Sequence, residues 1–172
     1  MNKQVTLRPS DVVVVLQLAL TNGAQFKHIA ESTAISAGEC HNAVRRLTLS
    51  SLILPDERRP LRDAVREFLV YGVPYAFPSV VGPALIGVPT AHASPAFNGI
   101  IESPDAYVWP YADGTTRGES LVPLYQGAPS LPSRNPALYE LLSIVDALRV
   151  GTTRVRKVAA ELLDARLTGT ER

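Results

Sequence analysis

Cysteine is nearly absent from this sequence of 172 residues, which contains only Cys40. A single thiol cannot form an intramolecular disulfide, and it excludes a structural zinc site made of cysteines. No apolar run approaches the roughly 20 residues needed to cross a bilayer. The first residues also lack the apolar core and small-residue cleavage site of a signal peptide. These absences favour a cytoplasmic protein with no membrane partner.

An excess of charge is also missing, since the formal net charge is only +1. The composition as a whole therefore gives no signal of nucleic-acid binding. Residues 1–72 hold nine Lys and Arg against seven Asp and Glu, whereas residues 73–134 hold two against four. Any DNA binding must therefore depend on where the basic side chains lie, not on how many there are.

Three regions of the chain differ in composition. Residues 1–72 show short helical patterns separated by polar turns. Residues 73–134 contain ten of the fourteen prolines and only six charged residues, so we expect short strands or irregular structure that is largely packed. Residues 135–172 are helical again. We predict an α+β, mostly α fold with two domains: residues 1–72, and a proline-rich extension over 73–172 that ends in a helical pair.

Helical spacing predicts three helices in the N-terminal region. The first spans Ser10–Thr21 with Ser10 as its N-cap, the second covers Ala24–Glu31, and the third runs from Ser36 to Ser50. Ser36 and Glu39 fit a capping box, in which each side chain accepts a hydrogen bond from the other residue's backbone N–H.

The third predicted helix divides into two faces at 100° per residue. The packed face carries Cys40, Ala43, Val44 and Leu47. The opposite face carries Gly38, Asn42 and Arg45, flanked by His41 and Arg46. Arginine can bond guanine O6 and N7, asparagine can bond adenine N6 and N7, and glycine lets the backbone approach closely. The face is therefore typical of a helix that enters the major groove.

A reduced wing follows this helix. Leu52–Leu54 reads as a short strand, and residues 55–60 as a turn with Arg58 and Arg59 at its tip, placed to reach phosphates or the neighbouring minor groove. No return strand is obvious. The apolar residues of the next segment follow helical spacing instead, so a fourth helix is expected directly after the turn.

The pattern Ile29-Ala30, Ile35-Ser36, Cys40-His41, Val44, Leu47 and Leu52-Ile53 resembles the winged helix-turn-helix of MarR- and IclR-type transcription regulators. The resemblance covers about residues 8–60 and implies binding to double-stranded DNA. It implies base contacts by Gly38, His41, Asn42 and Arg45, and backbone contacts by Arg46, Arg58 and Arg59. Two departures are Ser51, in place of the usual glycine before the wing, and a second wing strand that is missing or vestigial.

The middle region offers a possible hairpin. The segments 107–111 and 121–125 predict two strands around the turn at Asp113-Gly114. Its aromatic residues, Tyr107, Trp109 and Tyr111, either line a ligand pocket or partner surface, or pack the extension onto the helices.

The C-terminal region predicts two helices. Asn135 and Pro136 begin the first, whose apolar stripe ends before Gly151, and Thr152 or Thr153 caps the second. The pair either forms a homodimer interface or closes the core of the monomer. A two-fold pair would let two winged helices contact two half-sites.

The sequence therefore favours a sequence-specific, dimeric transcriptional repressor. The alternative is an antitoxin-like module whose winged helix and proline-rich extension bind a protein partner such as a toxin. An enzyme has the least support, because the sequence shows no paired carboxylates and no nucleophile–base set. His28, His41 and His92 lack a second ligand nearby in sequence, so we expect neither a metal nor a cofactor.

Overall fold

A computed structural model of the protein describes residues 4–168, and its fold is α+β and mostly helical, as predicted. The helices are α1 (Pro9–Thr21), α2 (Phe26–Thr33), α3 (Ala37–Leu49), α4 (Arg62–Glu67), α5 (Val73–Ala76), α6 (Leu131–Arg134), α7 (Pro136–Val150) and α8 (Thr153–Thr168). The strands are β1 (Val81–Thr90), β2 (Tyr107–Pro110) and β3 (Thr116–Leu121). A π-helical turn, Phe68–Gly72, joins α4 to α5. The second helix begins and ends two residues later than predicted.

The N-cap of α1 is Arg8, so the prediction of Ser10 was wrong. Pro9 occupies the first helical position, where its fixed φ suits the helix and its missing N–H costs nothing. Ser10 therefore lies inside the helix. The side chain of Asp11 serves this end instead, because its Oδ2 accepts the backbone N–H of Arg8 at 2.8 Å.

Helices α1 and α7 lie at the centre of the molecule. Every residue of α1 from Asp11 to Ala19 is buried, and α1 packs against both α3 and α7. Packing therefore overrides the strand propensity of the four consecutive valines in α1. One cluster of buried side chains extends from Val12 to Leu167. The predicted domain boundary after residue 72 falls within the continuous helical segment 62–76.

The predicted ends of the C-terminal helices are confirmed. The Asn135 side chain accepts the N–H of Leu138 at 3.2 Å, Gly151 ends α7, and Thr152 Oγ1 accepts the N–H of Val155 at 3.4 Å. In α7 the residues from Leu138 to Arg149 are buried, with the exception of Glu140. This helix therefore closes the core of the monomer, and only α8 of the pair has a broad exposed face.

The strands form a small closed barrel in which β1 runs antiparallel to both β2 and β3. Strands β2 and β3 pair in parallel, at Tyr107 with Glu119 and at Val108 with Ser120. The predicted hairpin was wrong, because the strands of a hairpin are antiparallel and because β3 lies before residue 122. Sequence reasoning did not predict β1, which contains Pro83 at an irregularity in its pairing with β3.

A buried carboxylate joins this barrel to α7. Asp146 Oδ2 accepts Trp109 Nε1–H at 2.7 Å and Thr90 Oγ1–H at 2.8 Å, and Arg149 Nη1 donates to Asp146 Oδ1 at 2.7 Å. Arg149 also donates Nε–H to the carbonyl of Phe77 at 2.8 Å. Trp109 thus packs the extension onto the helices, which is one of the two roles considered for the aromatic cluster.

Candidate nucleic-acid interface

The start of α3 is set by a turn after α2. Ala34 has a left-handed conformation, with φ 60°, and ends α2. Ser36 then caps α3, since its Oγ accepts the N–H of Glu39 at 3.2 Å. Within residues 4–168, only this half of the predicted capping box forms. The Glu39 carboxylate turns instead toward Arg46, whose Nη2 lies 2.6 Å from Glu39 Oε1.

The two faces of α3 lie as the spacing predicts. The buried residues of the helix are Cys40, Ala43, Val44 and Leu47. The exposed residues include Gly38, His41, Asn42 and Arg45. Within the described residues, a Cβ added at Gly38 would meet no atom within 4 Å, so the N-terminal end of this face is open. The outer side of α3 is therefore accessible to a large partner.

Arg46 occupies a different environment from Arg45. Its Nε and Nη2 donate to the two carboxylate oxygens of Asp11 at 2.9 and 2.7 Å, and Nη2 also contacts Glu39. The Asp11 side chain is completely buried, whereas that of Arg46 is 15% exposed. Hydrogen bonds to Asp11 raise the pKa of Arg46 above its usual value. Arg46 thus fixes α3 against α1, and its backbone contact with DNA stays a prediction.

Arg8 extends this charge cluster to the surface. Its Nη1 lies 3.6 Å from Glu39 Oε1, and 62% of its side chain is exposed. The Arg46 hydrogen bond is the main reason that the pKa of Glu39 lies below its ordinary range. A cavity of about 460 Å³ adjoins the cluster, lined by residues 4–6, Arg8, Asn42, Arg45, Arg46 and Leu49. Sequence reasoning missed Arg8, because only the fold brings it beside the outer face of α3.

The segment after α3 is a minimal hairpin. Ile53 and Pro60 form an isolated antiparallel bridge, and Leu54 N–H donates to the carbonyl of Arg59 at 2.8 Å. The predicted fourth helix follows this turn as α4. The turn therefore projects only a few residues beside α3.

Ser51 adopts a left-handed conformation, with φ 57°. The N–H of Leu52 donates to the carbonyl of Leu47, and the N–H of Ser51 to that of Thr48, both at 3.0 Å. This is the bonding of a Schellman motif, whose left-handed residue is usually glycine. Ser51 therefore adopts the left-handed conformation that glycine usually supplies in this motif, at some cost in conformational energy. The path of the chain is that of an ordinary Schellman motif.

The two arginines of this turn, Arg58 and Arg59, have different surroundings. The guanidinium carbon of Arg58 lies 4.8 Å from the centre of the Phe26 ring, and the Phe26 ring meets His41 edge-on at 5.3 Å. Arg59 is exposed, and its Nε lies 2.9 Å from Glu57 Oε2. The fold thus brings Arg58 and His41 into contact with one aromatic ring, which connects the turn at residues 55–60 with α2 and α3.

Residues 4–168 give little support for a reactive thiol, a metal site or a membrane span. Burial raises the pKa of the Cys40 thiol, so this side chain is a weak nucleophile at neutral pH. Within the same residues no three His, Cys, Asp or Glu side chains are grouped to hold a metal ion. None of the described helices combines the length and apolar character required of a membrane span.

No family model, curated protein or solved structure matches the chain.

Proposed function

We propose that the protein is a sequence-specific DNA-binding regulator of the cytoplasm that represses transcription as a dimer. In this proposal, α2, the turn and α3 act with the short wing as a winged helix-turn-helix, and α3 enters the major groove. The observation that carries the proposal is the outer side of α3, which is exposed while its inner side is fully packed.

Each side chain then has a role. Arg45 and Asn42 contact base edges, because their guanidinium and amide groups match guanine and adenine bidentately. Gly38 allows the backbone to approach the groove, and His41 lies beside these residues. Arg59 at the exposed tip contacts phosphate, as does Arg58 from its position over Phe26. Arg46 holds the helix in place, since its donors already bind two carboxylates.

The test begins with selection of bound DNA from a random pool at a stated salt concentration. Enrichment of an inverted repeat is expected, since a two-fold dimer contacts two half-sites. In gel-shift titrations, Arg45→Ala and Asn42→Ala should each cost about 1–3 kcal/mol of binding free energy and relax the base preference. Arg59→Ala should weaken binding to all sequences alike and reduce the salt slope by about one unit.

Arg117→Ala is the matched control, because Arg117 is an exposed arginine on β3, outside the proposed interface. Its affinity for the selected DNA should equal that of the unmodified protein. Failure to enrich any sequence, or equal affinities for the Arg45→Ala and Arg117→Ala variants, would overturn the proposal.

A second candidate function is the antitoxin-like module that binds a protein partner. The outer half of β1 and its neighbours favour it, because their large apolar side chains are exposed: Val80, Val81, Leu85, Ile86 and Val122. Exposed apolar patches often mark protein interfaces. A stoichiometric partner that is lost from Ile86→Asp but kept by Arg45→Ala would support this function. Retention of the partner by Ile86→Asp would contradict it.

A further inference from the structure

An open groove separates the helical segment 62–76 from α8. The segment and the helix are joined by Arg66, whose Nη2 lies 2.9 Å from Asp164 Oδ2. The groove has a volume of about 440 Å³. Tyr71 and Tyr75 line it and are 67% and 77% exposed, more than any other large apolar side chain in residues 4–168. Two tyrosines one helical turn apart thus stand unburied on one side of the molecule.

The backbone beneath these tyrosines is unusual. The π-helical turn Phe68–Gly72 includes Tyr71 and lies directly before α5. A Cβ at Gly72 would lie 2.8 Å from a ring carbon of Phe68, so a larger residue at this position would have to displace that ring. Single π-helical turns are rare and recur at functional sites. The π-helical turn and the exposed tyrosine rings therefore coincide at one surface.

Side chains of opposite charge line the α8 side of the groove. Lys157 precedes Ala160, and Glu161 follows it. All three residues line the groove, and both charged residues are exposed. Neither Lys157 nor Glu161 has an ion-pair partner among the described residues. A basic group and an acidic group therefore flank a small residue on one helix face.

This pattern is self-complementary under two-fold symmetry. If two copies of α8 pack antiparallel about a two-fold axis level with residue 159, next to Ala160, Lys157 faces the partner's Glu161, and the same contact repeats on the other side of the axis. Closed dimers use such isologous interfaces, in which one surface patch binds its own copy. Alanine near the axis permits close approach of the helices. Tyrosine is enriched in the interfaces of protein complexes.

We infer that this groove is the binding surface for a second copy of the chain, with α8 antiparallel to α8 and Tyr71 and Tyr75 packed against the partner. It supplies the dimer on which the proposed function rests. The association can be measured without DNA, so a failure of the interface and a failure of DNA recognition give separate results.

Sedimentation equilibrium of the full chain tests the inference. The unmodified protein is expected to dimerise, and Lys157→Glu and Glu161→Lys should each raise the dimer Kd about tenfold or more, because each places like charges together at two symmetric contacts. The double variant, Lys157→Glu with Glu161→Lys, should recover a Kd near that of the unmodified protein. Circular dichroism of each variant checks that α8 remains folded.

Tyr75→Ser provides a second measurement that does not depend on charge. It should also raise the dimer Kd about tenfold, whereas Tyr111→Ser should leave it unchanged, since Tyr111 is an exposed tyrosine at the end of β2. A monomer at all concentrations up to about 1 mM would overturn the inference. A dimer whose Kd is unaffected by these charge reversals and by Tyr75→Ser would overturn it equally.

Discussion

Replacement of Arg46 by alanine should destabilise the protein strongly, although part of this arginine is at the surface. The change removes both hydrogen bonds from Arg46 to Asp11 and the contact with Glu39. Among the described residues, the fully buried Asp11 carboxylate would then keep only the N–H of Arg8 as a donor. Loss of one partner from a buried ion pair costs about 3–5 kcal/mol, and the partial exposure of Arg46 favours the lower end, about 3 kcal/mol.

Urea unfolding followed by circular dichroism measures this cost as a change in midpoint at a constant slope. Arg45→Ala is the matched control, because Arg45 is the adjacent residue and its side chain is exposed. Its free energy of unfolding should change by no more than about 0.5 kcal/mol. The pair Asp11→Leu with Arg46→Met should recover much of the lost stability, since apolar groups of similar volume need no compensating charge. A loss of less than about 1 kcal/mol in Arg46→Ala would refute the reasoning, because an exposed ion pair contributes no more than that to the free energy of unfolding.

Three further predictions concern stability. Ser51→Gly should raise the free energy of unfolding by about 1 kcal/mol, because glycine adopts the left-handed conformation without strain; a lower urea midpoint would contradict this. Trp109→Phe removes one donor to Asp146 and should cost about 1–3 kcal/mol, so an unchanged midpoint would disprove the role of that bond. Because Arg46 lowers the pKa of Glu39 below 4.5, this carboxylate stabilises the fold above pH 4.5 and ceases to do so as the pH falls through the lowered pKa. Glu39→Gln should therefore flatten the acid part of the stability–pH curve, and an unaltered curve would show that Glu39 has no part in it.

The sequence predicts α3 well because its signals are local. Ser36 caps the helix, and the apolar spacing from Cys40 to Leu47 determines which side packs. The same spacing leaves Asn42 and Arg45 on the outside. A single helix therefore contains nearly all the information needed to orient its own faces.

Contacts between distant residues could not be predicted in this way. Arg46 lies next to Arg45 in the sequence, yet its partner Asp11 is 35 residues away and becomes a neighbour only when α1 and α3 pack. The barrel presents the same difficulty. Strand β1 contains two prolines, and its pairing with both β2 and β3 depends on the tertiary path of the chain. Local propensity argued against a strand at this position.

The burial of α1 from Asp11 to Ala19 restricts how the molecule can be divided. This helix packs against α3 and against α7, and its four valines are all buried. A fragment ending at residue 72 would expose the surface that α7 covers, and it would also end inside the helical segment 62–76. Helix α3 is thus supported by a helix that itself depends on α7, so its packing draws on both the N-terminal and the C-terminal parts of the chain.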